Sequence, residues 1–315
     1  MLTYSLNRLL QLVVTTLGVV TLVFFTLRLI PGDAASAMAG ETLSGEALER
    51  LRDQMGLNKP ILVQYLEYLT NLVSLNFGDT VTTGLSISNL LLSAIPITLA
   101  IAVATIILTI VIAIPLGTLA AYLAHKGHKT FDNVITGAAM LVDLMPSFWT
   151  ALVFLLLFSL TLGWFPASGT VSLDDPAAFI HRIALPVLVL SVTQVATMAR
   201  ITRTAVLEVL SEDYIRTARS MGWSELRVLF RHALKNAALP IVTVVGLSFG
   251  SLLNGTIIVE FIFTIPGLGS LLINGINSRD YQLVQTLIVF YALFFVTVNF
   301  MTDIVYKKLD PRVQF

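Results

Sequence analysis

The chain has 315 residues, of which 56% are hydrophobic and 12% charged. Its mean hydropathy is +0.85, which excludes an ordinary soluble globule. The formal net charge of zero points to no partner, because the charges are segregated by region, and the lack of cysteine excludes disulfides and thiolate metal sites.

Six apolar stretches are long enough to span a membrane: residues 9–30, 95–123, 133–161, 182–200, 237–262 and 284–306. A hydrocarbon core of about 30 Å takes about 20 helical residues. The first stretch follows Arg8 and precedes Ala37-Met38-Ala39, a superficial match to a secretory leader. Its apolar part is longer than the roughly 7 to 15 residues of a leader, so it is expected to be a retained span. The second and fifth carry Pro96, Pro115 and Pro240, where kinks or a shallow start are expected. The fourth is the weakest, bounded by Arg182 and Arg200, whose side chains are expected to snorkel to the two interfaces.

The connection at 31–94 is expected to be structured and external. Ser44, Glu46 and Glu49 open a short helix with Leu48, Leu51 and Met55 on one face and Gly56 at its end. Pro60 starts a second, with Ile61, Leu62, Tyr65, Leu66, Leu69, Leu72 and Val73 on a broad apolar face, ending before Gly78. A lid packed on the spans and a contact for an external partner are both compatible with this pattern.

Orientation follows from the basic residues. With a cytoplasmic N-terminus, the inside segments hold Arg8, Lys126, Lys129, Arg200, Arg203, Arg216, Arg219, Arg227, Arg231, Lys235, Lys307, Lys308 and Arg312. The outside segments hold Arg50, Arg52, Lys59 and Arg279. This bias places both termini and the basic stretch 202–235 in the cytoplasm.

That stretch is the most informative in the chain. Ser211 is positioned to cap a helix, Glu212 and Asp213 put carboxylates at its positive end, and Arg216 and Arg219 lie toward its negative end. Gly222 is a natural stop, and Ser224-Glu225 starts a second amphipathic piece running toward Pro240. A short capped helix held at the membrane face is expected to dock onto something.

Catalytic readings do not fit. A six-span serine protease needs a serine and a histidine at membrane depth, and His125, His128, His181 and His232 all lie in loops or at span edges. Gly267-Leu268-Gly269-Ser270 therefore reads as a turn after Pro266. His125 and His128 beside Lys126 and Lys129 make a poor metal site. Gly127-His128-Lys129-Thr130 resembles the end of a phosphate-binding loop, but Leu123 and His128 stand where its two glycines belong.

Intramembrane polar groups point to a pathway. Asp143 is expected about ten residues, roughly 15 Å, into the third span, and Glu260 near the outer end of the fifth. Carboxylates at such depth face a bundle interior or an aqueous cavity. For Asp143, a structural hydrogen bond to a neighbouring helix and a place on the path are equally open. Gln194, Thr197 and Asn254 are weaker candidates. Gly246-Leu247-Ser248-Phe249-Gly250-Ser251 suggests close approach to another span, in this chain or in a partner.

Several segments together carry a family resemblance. They are R-L-L at 8–10, L-I-P-G-D at 29–33, G-L-N-K-P at 56–60, N-F-G-D at 76–79, S-E-D-Y-I-R-T-A-R-S-M-G at 211–222, R-H-A-L-K-N-A-A-L-P at 231–240, V-E-F-I-F-T-I-P-G-L-G at 259–269, R-D-Y at 279–281 and L-D-P-R at 309–312. In this order the chain resembles a membrane-spanning permease subunit of a bacterial ABC importer of the dipeptide/oligopeptide branch. The family's cytoplasmic motif has glutamate and alanine where Arg216 and Thr217 stand; Ala218 and Gly222 fit it, and Leu239-Pro240 falls later. Gln282 replaces a proline common after R-D-Y, a departure read as neutral.

The resemblance implies an all-α polytopic fold of the type I importer class, with six transmembrane helices and a structured external loop. It divides the chain into residues 1–94 (first span and external helical loop), 95–306 (permease core, with the coupling segment 202–235) and a cytoplasmic tail at 307–315. It also implies a bacterial inner-membrane location, a homologous second permease subunit, two cytoplasmic ATPase subunits and an external solute-binding protein. No cofactor is expected in this chain, since ATP and Mg would bind the ATPase subunits, and no nucleic-acid partner is implied. Coupling to the ATPases would run through Glu212, Asp213, Tyr214, Arg216, Thr217, Ala218, Arg219 and Gly222. Asp143, Gln194, Asn254 and Glu260 would be candidates for the translocation path. An ion-coupled secondary transporter is the main alternative, disfavoured by the lack of a visible inverted repeat and by few buried ionisable groups. A membrane scaffold or receptor is the other.

Overall fold

A computed structural model of the chain describes residues 2–29, 35, 45–54, 56–169 and 174–309. Ser44 and Met55, expected in the first external helix, lie outside them. No β-strand occurs among the described residues, although Asp79 and Ser86 form an isolated antiparallel bridge. The helices are α1 (Leu2–Leu29), α2 (Glu46–Gln54), α3 (Ile61–Val73), α4 (Ile87–His125), α5 (Lys129–Asp143) and α6 (Ser147–Phe154), which runs on as a π-helix over Leu155–Thr161. There follow α7 (Pro176–Leu210), α8 (Asp213–Ser220), α9, which opens at Glu225–Arg227 and widens to a π-helix over Val228–Ala233, α10 (Ala238–Ile262), α11 (Leu268–Asn277) and α12 (Tyr281–Leu309).

Five helices are long and apolar enough to cross a membrane, and a sixth span results if the bent pair at 132–161 is counted as one. That pair corrects the sequence reading of an uninterrupted third span, because its halves meet at 98°. The break falls at Pro146, which cannot donate to a preceding turn and disfavours helical backbone at Met145. By contrast, Pro96 and Pro115 lie inside α4, which continues through both. Pro240 sits in the first turn of α10, where no N–H is required. The fourth span, short by its apolar content, belongs to a 35-residue helix.

The chain divides into two compact units. In the first, made of residues 1–98 and 266–297, Phe24 of α1 is fully buried between Tyr65 and Tyr68 of α3. The Tyr65 hydroxyl lies 2.6 Å from Thr21 Oγ1. This docks α3 on the end of α1, while Leu62, Leu66 and Val73 of its broad apolar face stay exposed. The N-F-G-D and R-D-Y stretches meet here. Asp280, fully buried, accepts from the backbone N–H of Val81 at 2.7 Å and of Leu283 at 3.1 Å, capping the start of α12. Gln282 donates to the Phe77 carbonyl at 2.8 Å, so its replacement of proline is not neutral: it supplies a contact that a proline lacks. Leu268-Gly269-Ser270 is not a turn but the opening of α11, whose Leu268 N–H donates to Thr98 Oγ1 at 2.9 Å.

The second unit comprises residues 99–265 and 298–315 and is organised around α7. Small residues allow close packing. At Gly246 of α10, any side chain would collide with Thr302 of α12, so this close approach is made within the chain. Arg182 corrects a second expectation. It does not snorkel but is 4% exposed, donating to the carbonyls of Pro166 at 3.0 Å and Phe263 at 2.5 Å. The Phe263 carbonyl belongs to the negative end of α10, where a buried cation is well placed. The next residue, Thr264, has φ +51°, an uncommon conformation for a β-branched residue, and its hydroxyl accepts from the same guanidinium at 3.3 Å.

Candidate coupling surface and polar wall

Residues 211–241 form a compact platform in the second unit. Ser211 does not cap α8, contrary to the sequence reading. It ends α7, its hydroxyl donating to the Glu208 carbonyl at 2.6 Å. Glu212 takes the N-cap position of α8 with extended backbone and no side-chain capping bond. Asp213 therefore supplies the carboxylate that faces the helix's positive end. At the other end Gly222 adopts φ +78°, and its N–H donates to the Arg219 carbonyl at 2.9 Å. The left-handed stop expected from the sequence is present, and a side chain there would strain the backbone.

An eight-residue helix is too short to be stable alone. Docking holds it. Ile215 is fully buried and Ala218 nearly so, in one cluster with Ala121 of α4, Val206 and Leu210 of α7, Val228 of α9 and Ile241 of α10. Ala218 is thus an inward anchor rather than a partner contact. The opposite face is open. The side chains of Asp213 and Arg216 are 94% and 75% exposed and pair loosely at 3.4 Å, and Thr217 and Tyr214 are exposed beside them. The Tyr214 hydroxyl accepts from Asn236 at 2.7 Å.

Arg216 and Arg219, both candidates for the coupling surface, part company. Arg219 turns back to Glu225 at 3.3 Å and to His125 Nε2 at 3.0 Å, and only a quarter of its side chain is exposed. Lys126 also approaches Glu225, at 3.6 Å. The turn after α4 and the turn after α8 are therefore joined by charge, and Glu225 and His125 belong to the platform, a role that no local pattern marks.

The candidate path residues divide in the same way. Asp143, at the end of α5 where the third span breaks, accepts from Thr197 Oγ1 and Arg200 Nη2, both at 2.7 Å. It is a tied residue, which favours the structural alternative. A positive guanidinium near a helix C-terminus also offsets the unfavourable placement of a carboxylate there. Nearer the start of α5, Asp132 makes a bidentate ion pair with Arg203, unforeseen in the sequence because the partners are 71 positions apart. Gln194, partly exposed, donates to Ser251 of α10 at 3.0 Å, and Asn254 is exposed one turn further along. With Leu247, Ile258 and Phe261, also exposed, Ser251 and Asn254 form one face of α10 at spacings of three and four residues. Glu260 is fully buried and is not part of this open face.

Comparison with known proteins decides the family. The model for "Binding-protein-dependent transport system inner membrane component" matches residues 113–315, and that for the N-terminal part of the same kind of membrane component matches residues 1–102. The chain belongs to this family. It is 39% identical over 311 residues to a putative peptide transport system permease protein of Brucella abortus, covering 98% of each chain. It is 36% identical to an oligopeptide transport system permease protein of Bacillus subtilis, covering 99% of each. To a glutathione transport system permease protein of Salmonella choleraesuis it is also 36% identical, with 100% coverage of both. Among solved structures, the inward-facing MetNI methionine ABC transporter matches with a TM-score of 0.56 at 16% identity. The match covers 70% of this chain and 96% of that one and supports the type I importer fold. The protein is thus a multi-pass inner-membrane permease subunit of a binding-protein-dependent ABC importer.

Proposed function

We propose that this permease carries short peptides or similarly built small solutes, with both termini in the cytoplasm, and that α8 couples it to ATPase partners. The observation that carries the coupling reading is the two-sided character of α8. Ile215 and Ala218 fix it to α4, α7, α9 and α10, while Asp213, Arg216 and Thr217 face outward. A rigid, short helix so placed transmits a push as a displacement of the spans rather than bending. Glu212 and Tyr214 flank the outward face, and Arg219 and Gly222 set its angle from behind. Partners on this reading are a homologous second permease subunit, two cytoplasmic ATPase subunits that hold ATP and Mg, and an external solute-binding protein. The cargo class rests on the names of relatives over full-length matches, and the basic bias of the inside segments supports the orientation.

This chain's share of the path is the open face built by Gln194, Ser251 and Asn254, flanked by Thr197 and Arg200 on the neighbouring stretch of α7 and by Asp143 at the end of α5. Amides and hydroxyls among apolar residues suit peptide groups without holding them tightly. The coupling reading is tested by Gly222→Val and Arg216→Ala in the assembled importer. Both variants should insert normally and lose most uptake, with ATPase subunits shed on purification or hydrolysing ATP without transport. Wild-type uptake with full ATPase recovery in both would remove α8 from the coupling role.

A further inference from the structure

The first unit contains a cavity of about 530 Å³ lined by the end of α1, the turn between α2 and α3, one side of α3 and the start of α12. Its size is typical of a site for a small molecule, about 300 to 1,000 Å³, and its lining is chemically uneven. Leu27, Leu57, Ile61 and Leu72 give apolar wall, whereas Asn71 and Asn76 present amides, each able to donate and accept.

Two features separate it from a solvated crevice. Gln285 lines it while only 8% exposed, and among the described residues its amide nitrogen meets no acceptor other than the Tyr68 hydroxyl beside it. That hydroxyl, buried and also in the lining, likewise has Gln285 as its one neighbour of this kind. A bond between the two still leaves donor hydrogens over, and buried donors are normally satisfied, so this pair marks a surface made to meet an acceptor. The second feature is charge. Lys59 is neutralised by Glu67 at 2.5 Å, and Arg52 by Glu49 at 2.8 Å. Arg28 has no carboxylate among the described residues. Its partners are Gln64 Oε1 at 3.0 and 3.1 Å, the Phe24 carbonyl at 3.3 Å and the Phe24 ring at 3.5 Å. A guanidinium held by neutral groups keeps its full attraction for a carboxylate.

We propose that this cavity is a binding site for a small carboxylate that also carries amide groups, the chemistry of the C-terminal end of a short peptide. Arg28 attracts the carboxylate, Gln285 and Tyr68 donate to acceptors of the ligand, and the asparagines match its peptide group. The site is distinct from the face built by Gln194, Ser251 and Asn254 and goes beyond the transport reading, on which only the choice of probe depends.

The test uses the full-length permease with the subunits that copurify with it, in nanodiscs and without solute-binding protein. The probes are tri-alanine and its C-terminal amide, followed by calorimetry. Tri-alanine should bind saturably, with affinity reduced at least tenfold by amidation and at least tenfold by Gln285→Leu. A photoreactive tripeptide with a free carboxylate should cross-link the unaltered protein within residues 56–81 or 281–286, a readout independent of whether the variant folds. Equal binding of acid and amide, cross-links confined to α7 and α10, or no saturable binding would each overturn the proposal. Loss of uptake with these results intact would count against the transport reading alone.

Discussion

The seam between α5 and α7 and the platform at α8 handle charge in opposite ways. In the seam, carboxylates turn inward and meet guanidinium groups: Asp132 with Arg203, and Asp143 with Arg200. On α8 the charges of Asp213 and Arg216 turn outward and scarcely touch anything, while two apolar side chains secure the helix. Charge directed inward fixes one helix against another, and charge directed outward remains available to a partner. Stability should therefore follow the first set and coupling the second.

The comparison breaks most readily at Asp132. It is 8% exposed, and removing one member of a buried pair leaves an uncompensated charge, at a cost of about 3 to 5 kcal/mol. Asp132→Leu should sharply lower yield and thermal stability in detergent. Asp132→Leu combined with Arg203→Met should recover much of the loss, and an unchanged melting temperature in the single variant would show that the seam does not hold the helices.

A smaller effect is expected at the anchor of α8. Ile215→Ala removes packing worth about 2 to 4 kcal/mol, but the loss should be local. Amide hydrogen exchange should accelerate over 213–221 and stay slow in α7, with uptake falling in parallel. If exchange accelerates throughout the second unit, α8 is part of the general core rather than a separately docked element.

The smallest effect is expected at Asp143. Its side chain and that of Arg200 are 29% and 32% exposed, so solvent weakens the pair to about 1 kcal/mol or less. Asp143→Asn keeps an acceptor for Thr197 and should leave stability nearly unchanged. A large fall in melting temperature would make this pair equal to the deeper one and erase the distinction within the seam.

The parts legible in the sequence are those governed by local rules. Apolar length located the spans, and Gly222 marked the end of α8 because a left-handed stop is a property of one residue and its neighbours. Pro146 was legible in principle, since X-Pro disfavours helix, but an apolar run on both sides masked it. The Asp132–Arg203 pair, the buried setting of Arg182 and the Gln282 contact with Phe77 depend on segments distant in sequence. No local pattern encodes such meetings. Arg219 shows the limit within the site itself: helical spacing put it beside Arg216, while Glu225 and His125 drew it away.

The division of labour within α8 also bears on how such a permease can diverge. Positions 215 and 218 answer to the packing beneath them, whereas among the described residues 213, 216 and 217 answer only to one another, through loose local contacts. The outer positions can therefore be rewritten without renegotiating the fold. On the proposed coupling reading, a duplicated permease gene could drift toward a different ATPase by changing a few surface letters, and it would still insert and pack as before.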